Sequence, residues 1–238
     1  MLTGLFANTG IYIGGRAHQP TISNPKGYFE TKGINNLNNR IIEDYLRWPI
    51  GESVRRRWSS NIHTDVRAYS YASPQKLHLK SIKPSLQNAI RYYGGREDFC
   101  YKDPRFCVTL PVWRESLDAS VRHLVVFREP EKIIASFIKN GKDIYTPPLV
   151  FNGMHLEYAF ARNYSRLIEW ADETWMFVHY DQVISGEVAP DLERFCNLEL
   201  GWSHVEKTLR RTSKADYVCR TGVVDDVYRQ LCRLANYQ

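Results

Sequence analysis

A short apolar run that ends on an arginine, followed by a proline and a helical pattern, constrains this chain more than any other feature. Leu124, Val125, Val126 and Phe127 are continuous. β-Branched and aromatic residues in such a run suit a strand buried on both faces. The run stops at Arg128, and Pro130 follows. Proline suits the first helical turn, where its missing N–H costs nothing. Ile133, Ile134, Phe137 and Ile138 then recur at helical spacing. The segment from Arg122 to Lys139 is therefore read as strand, charged corner and helix, with Ser136 eight residues beyond Arg128. In open α/β sheets, ligands bind beyond the carboxyl ends of strands. A guanidinium there takes a phosphate by two parallel hydrogen bonds, and a hydroxyl adds a third. An arginine after a strand also serves as a solvated charge or as half of a surface ion pair, so both readings of Arg128 stay open.

The 238 residues fit one domain, spanning 1–238, with enough chain to bury a sizeable core. No apolar run approaches membrane-spanning length, and the first ten residues lack the basic start and cleavage pattern of a signal peptide. Cys100, Cys107, Cys196, Cys219 and Cys232 are scattered, with no Cys-x-x-Cys pair and no zinc spacing. Reduced thiols in a cytoplasm, most of them small core residues, are the expectation, and no metal is called for. The net charge of +6 favours an anionic partner. Arg55-Arg56-Arg57 is short and lies in a polar stretch, so it reads as a solvated loop rather than a nucleic-acid patch.

Along the chain, Leu2 to Asn8 reads as a helix and Ile11-Tyr12-Ile13 as a short apolar segment closed by Gly14-Gly15. An amphipathic helix follows, with Ile34, Leu37, Ile41, Ile42 and Tyr45 on one face. A further helix is expected from Gln75 to Tyr93, kinked or split at Pro84. Phe99-Cys100-Tyr101 reads as a second buried strand, ending in Lys102-Asp103-Pro104-Arg105, where Asp103 can cap the helix that Pro104 begins. A helix from Gly153 to Asp172, a third strand from Trp175 to Tyr180, a helix from Asp191 to Leu198 and a tail helix from Asp225 to Tyr237 complete the pattern. The tail helix is expected to turn Val227, Leu231 and Leu234 inward. Strands alternating with helices predict an α/β fold with a parallel sheet and right-handed crossovers.

These residues resemble a known family. Val125 to Lys139, with Arg-x-Pro and the later Ser, is similar to the 3′-phosphate-binding element of sulfotransferases that use 3′-phosphoadenylyl sulfate (PAPS). Tyr101 to Arg105 resembles the Lys-Asp-Pro motif of bacterial sulfotransferase-family proteins and of tyrosylprotein sulfotransferases. Asn24 to Glu30 is similar to an Asn-Pro-Lys-Gly-aromatic-aromatic-Glu segment of the bacterial group. Phe177 to Val183 resembles the family's Tyr-Glu-Asp-Leu strand end, and Leu209 to Ser213 its C-terminal Leu-Arg-Arg-Ser segment. Arg220-Thr221-Gly222 is only faintly similar to another sulfotransferase motif and is set aside.

The resemblance implies a P-loop NTPase-like central parallel sheet flanked by helices, without its first strand and phosphate loop. Met1 to Phe6 resembles the helix that follows that loop. The expectation is a reading frame that starts late, on the order of ten to fifteen residues short, the length of a strand plus a loop. A genuine start, and a non-catalytic relative, is the alternative.

The implied reaction moves a sulfuryl group from PAPS to a hydroxyl or amine of a small molecule, glycan or peptide, leaving adenosine 3′,5′-bisphosphate. Positioning and electrostatics would supply most of the catalysis, as in phosphoryl transfer. By resemblance, Glu30 is the general base, with capping of the next helix as its other reading, and His18 is the runner-up base or an ordinary surface residue. Lys102 is the electrophilic stabiliser or the partner of a nearby carboxylate, and Arg105 supports structure. Arg128 and Ser136 bind the 3′-phosphate, with Arg210 or Arg211 adding to it. Tyr180 lies against the adenine or packs in the core. Trp58, Tyr69 and Tyr71, within Gly51 to Pro74, are read as acceptor contacts or as packing. The two cationic corners, at Lys102 and Arg128, are expected to serve one nucleotide. A non-catalytic nucleotide-binding protein and a P-loop nucleotide kinase are the competing functions.

Overall fold

The computed structural model describes residues 2–6, 9–17, 29–46, 81–144, 153–205 and 216–238. The chain divides into two compact units: Met1–Val121 with Glu199–His204, and Arg122–Leu198 with Val205–Gln238.

The first unit is helical. Leu2–Phe6 forms a single 3-10 turn, tied down where Gly201 N donates to Leu5 O at 3.0 Å. Helix α1 spans Lys32–Leu46, α2 Pro84–Gly94 and α3 Phe106–Arg114. Helix α1 packs on both α2 and α3. Its apolar stripe is buried at Ile34, Leu37, Ile41 and Ile42, as the periodicity predicts, and the two helices packed on it bury Leu86 and Ile90 in α2 and Val108 and Val112 in α3. Of the helix expected from Gln75 to Tyr93, Gln75 to Lys80 lie outside the described residues, and the part after them begins at Pro84. Pro84 opens the helix, as proline does at a first helical position. Gly14 and Gly15 turn the chain before α1 with φ near +98° and +99°. A Cβ on Gly14 would stand 2.6 Å from Thr31 Oγ1, so the position is closed to larger residues.

Phe99-Cys100-Tyr101 is not a buried strand. It makes one parallel bridge, Tyr12 to Phe99, with Cys100 N donating to Tyr12 O at 2.9 Å. The reason lies in the aromatic rings. Phe99 and Tyr101 are two residues apart, and their rings stack at 4.5 Å. The Tyr101 hydroxyl donates to Tyr93 O at 2.9 Å. Both residues stay half-buried, and their segment ends in the charged corner before a ladder can extend.

The second unit carries the sheet. Strand β1, His123–Phe127, pairs in parallel with β2, Trp175–His179, in the register His123↔Trp175 to Phe127↔His179. The crossover contains α4, Pro130–Ile144, and α5, Gly153–Glu169. After β2 come α6, Tyr180–Ser185, α7, Ala189–Cys196, and α8, Gly222–Leu234. Helix α5 packs on α4 and α8, and α8 also covers β2. The described residues are thus mixed α/β, mostly helical, with a two-stranded parallel sheet.

Four details differ from the sequence reading. Strand β1 buries Val125 and Phe127 but leaves Leu124 and Val126 half-buried, so it has one well-covered face. Strand β2 stops at His179. That imidazole caps α6, with Nδ1 accepting from Asp181 N at 3.1 Å, and Gln182 Oε1 accepts from His179 N at 2.9 Å. In α8, Leu234 is 46% exposed, while Val224, Val227, Leu231 and Ala235 are buried. At 100° per residue Ala235 lies closer than Leu234 to the stripe set by Val224 and Leu231. All five cysteines are free thiols, but only Cys107 is buried, so one of them is core and the others are half-buried.

Candidate functional site

The first corner is built on a buried polar network. Asn38 lies four residues after Ile34 and three before Ile41, inside the apolar stripe of α1. Its Nδ2 donates to Asp103 Oδ2 at 2.9 Å, and its Oδ1 accepts from Thr109 Oγ1 at 2.9 Å and Trp113 Nε1 at 2.8 Å. Asp103 Oδ1 accepts from Arg105 N and from Arg105 Nη1, each at 2.9 Å. Arg105 Nε donates to Asn39 Oδ1 at 2.6 Å. The corner is therefore fixed from α1, and Arg105 supports structure as expected. Helix α3 starts at Phe106 rather than at Pro104, with Arg105 at its N-cap and no side-chain cap, so Asp103 does not cap it and instead closes the preceding turn by accepting from the Arg105 N–H.

Lys102 projects from this corner into an ion pair with Glu30, with the two side chains 41% and 16% exposed. Asn35 Nδ2 donates to the other Glu30 oxygen at 3.0 Å. The structure thus brings together the residues read as base and electrophile. In this state each neutralises the other. Phe29, just before, holds a φ of +51°, in the left-handed region.

The second corner lies where β1 and β2 end. The Arg128 guanidinium sits over the Tyr180 ring, 4.9 Å from its centroid. Register places Phe127 beside His179, so Arg128 and Tyr180 follow as neighbours. Arg128 Nε is 3.6 Å from Glu129 Oε2. Lys132, one turn into α4, pairs with Glu129 Oε1. Ser136 lies four residues beyond Lys132 on the same face of α4 and is half-buried.

His179 is fully buried beneath this corner. Tyr237 stacks on it at 3.7 Å between centroids, nearly parallel at 11°. Its Nδ1 accepts a main-chain N–H, so in the neutral ring the proton belongs on Nε2. That nitrogen faces Tyr228 Oη at 3.2 Å and Glu129 Oε2 at 3.8 Å. Burial holds the His179 pKa below its ordinary value, against the pull of Glu129 and Asp181, so the ring is neutral at pH 7. Burial raises the Glu129 carboxyl, but the Lys132 hydrogen bond and charge, its own main-chain N–H and His179 together hold it below the ordinary value.

A third cluster serves structure. Glu157, fully buried on α5, accepts from Tyr217 Oη, from the main-chain N–H groups of Arg220 and Thr221, and from Thr221 Oγ1 at 2.7 Å. It satisfies the chain entering α8. Thiol chemistry has little support, because burial pushes Cys196 up to about 11 and Cys219 up to about 12. Among the described residues no group of three His, Cys, Asp or Glu side chains is placed to hold a metal ion, and no helix is long and apolar enough to cross a membrane.

His18, Arg210 and Arg211, and the stretch holding Trp58, Tyr69 and Tyr71, lie outside the described residues, as do Asn24 to Tyr28 and Leu209 to Ser213. Glu129, Lys132 and His179 were not singled out by sequence, although Glu129 adjoins Arg128 and His179 precedes Tyr180. Comparison of the chain with protein-family models, curated proteins and solved structures found no match.

Proposed function

We propose that this protein is a sulfotransferase that binds PAPS and moves its sulfuryl group to a hydroxyl or amine of a small-molecule, glycan or peptide acceptor. The observation that carries the reading is the second corner. At the ends of two parallel strands, a guanidinium and an aromatic ring stand together, Arg128 over Tyr180 at 4.9 Å. A nucleotide with a 3′-phosphate and an adenine calls for that pair of chemistries. In this reading the fold is a P-loop-like α/β domain, Arg128 and Ser136 take the 3′-phosphate, and Arg210 or Arg211 adds to it. Tyr180 lies against the adenine. Lys102 supports charge on the leaving oxygen, and Glu30 or His18 takes the acceptor's proton.

The Glu30–Lys102 ion pair favours one second reading, a non-catalytic nucleotide-binding relative. A base and an electrophile that neutralise each other do no chemistry until they separate. Thermal-shift titration with adenosine 3′,5′-bisphosphate against ATP tests the nucleotide class. Stabilisation by the bisphosphate alone supports both readings, and stabilisation by ATP alone replaces them with a kinase. Turnover of labelled PAPS across an acceptor panel then separates enzyme from binder.

A further inference from the structure

Three buried asparagines, Asn35, Asn38 and Asn39, lie on one face of α1. Asparagine is a weak helix former, and a buried amide is costly unless it is hydrogen-bonded. The three are accounted for by what they hold. Asn38 holds Asp103 and Asn39 holds Arg105, which together fix the corner that carries Lys102. Asn35 holds the other member of the ion pair. Its Nδ2 donates to Glu30 Oε2 at 3.0 Å, while Lys102 takes Oε1. The two carboxylate oxygens are thus divided between a buried amide and a well-exposed ammonium. Asn35 is itself set in the first turn of α1, where its main-chain N–H donates to Thr31 O at 3.0 Å. One helix therefore anchors both Glu30 and the corner beneath Lys102. Lys102, on a flexible and exposed stem, is the member able to leave.

We propose that Asn35 is a positioning residue for the general base: it holds Glu30 by Oε2 when Lys102 moves to the nucleotide, so that Oε1 is turned to the acceptor. In the step served, Oε1 takes the acceptor hydroxyl's proton and the acceptor oxygen bonds to sulfur. The bond from sulfur to the bridging oxygen breaks, with its electron pair left on adenosine 3′,5′-bisphosphate. The proposal rests on the sulfotransferase reading above, with Glu30 as base, and adds the residue that aims it. An amide that only satisfied the start of α1 would change stability and leave turnover by the folded protein unmoved.

Two measurements on the full chain test it, in the wild type, Asn35→Ala, Glu30→Ala and the double variant. In urea titration the two single losses are less than additive, because both variants remove the same bond. The second measurement is turnover of labelled PAPS with 2-naphthol, or with the panel hydroxyl that the wild type uses best. Asn35→Ala lowers kcat by about ten- to a hundredfold at an unmoved KM for PAPS. In the Glu30→Ala background it has no further effect on the residual rate, because it acts through Glu30. Asn35→Ser replaces Asn35→Ala should the latter fail to fold. Wild-type kcat in a folded Asn35 variant overturns the proposal, as do equal falls with and without Glu30, or additive stability losses. Turnover that needs Glu30 but not Asn35 removes this inference alone. Turnover that survives Glu30→Ala removes Glu30 as the base, and a wild type that turns over no acceptor removes the sulfotransferase reading; the inference goes with either.

Discussion

Replacing Asn38 dissects the first corner most sharply. Asn38 and Thr109 are fully buried, Trp113 is nearly so, and Asp103 is buried beside them. In Asn38→Ala, Trp113 Nε1 and Asp103 Oδ2 lose the partners they hold at 2.8 and 2.9 Å. Thr109 Oγ1 keeps its second acceptor, Arg105 O at 3.2 Å. Two orphaned buried groups at about 1–3 kcal/mol each predict a loss of about 2–6 kcal/mol. That is a large share of the roughly 5–15 kcal/mol stability of an ordinary domain. Asn38→Asp has nearly the same shape and still accepts from Thr109 and Trp113. It sets a second carboxylate against Asp103, however, and Arg105 supplies one cation for two charges. One of the acids must keep its proton, so its folded pKa lies above the unfolded value of about 3.9. The penalty is therefore absent below about pH 4, grows as pH rises and levels off above the folded pKa. Urea unfolding at pH 4.5 and pH 8 measures this. The account predicts an Asn38→Asp protein that loses far more stability at pH 8 than at pH 4.5, relative to wild type. Equal losses at both values would refute the buried contact between residues 38 and 103.

Three further outcomes follow from the same structure. Glu157 holds its carboxyl below the ordinary value through bonds from Tyr217, Thr221 and Arg220, despite burial. Its contribution is present above about pH 4.5 and is lost as pH falls through the lower folded pKa, a dependence that Glu157→Gln removes, with hydrogen exchange of residues 217–224 as the local readout. His179 is held neutral, so the unfolded state takes up a proton first, and stability falls as pH drops below about 6.5. In His179→Asn, which keeps an N-cap acceptor, thermal melts lose that component. Lys102→Met breaks an ion pair with a well-exposed ammonium and is expected to lower stability by less than about 1 kcal/mol in a denaturant titration. A much larger loss would give Lys102 a structural rather than a chemical role.

The parts of the fold legible in sequence are those set by local patterns. The run from Leu124 to Phe127 and Pro130 after it fixed the end of β1 and the start of α4, because both signals act within a few residues. Phe99 to Tyr101 misled because three apolar residues specify burial without specifying a pairing partner, and the rings found each other instead. Asn38 and Asn39 carried a readable signal, a polar residue within an apolar stripe, but their partners lie about seventy positions away. The meeting of Glu129 with His179 was not legible at all. It depends on the register that sets Phe127 beside His179, a long-range pairing. The Arg128–Tyr180 contact follows from the same register, whereas the resemblance gave each residue its role separately.

The most direct test of the central claim is calorimetric titration of wild type, Arg128→Ala and Tyr180→Ala with adenosine 3′,5′-bisphosphate. A charge-assisted bond contributes about 1.5–3 kcal/mol, so Arg128→Ala should weaken binding by roughly ten- to a hundredfold, and Tyr180→Ala should weaken it as well. Wild-type affinity retained in a folded Arg128→Ala protein would contradict the account.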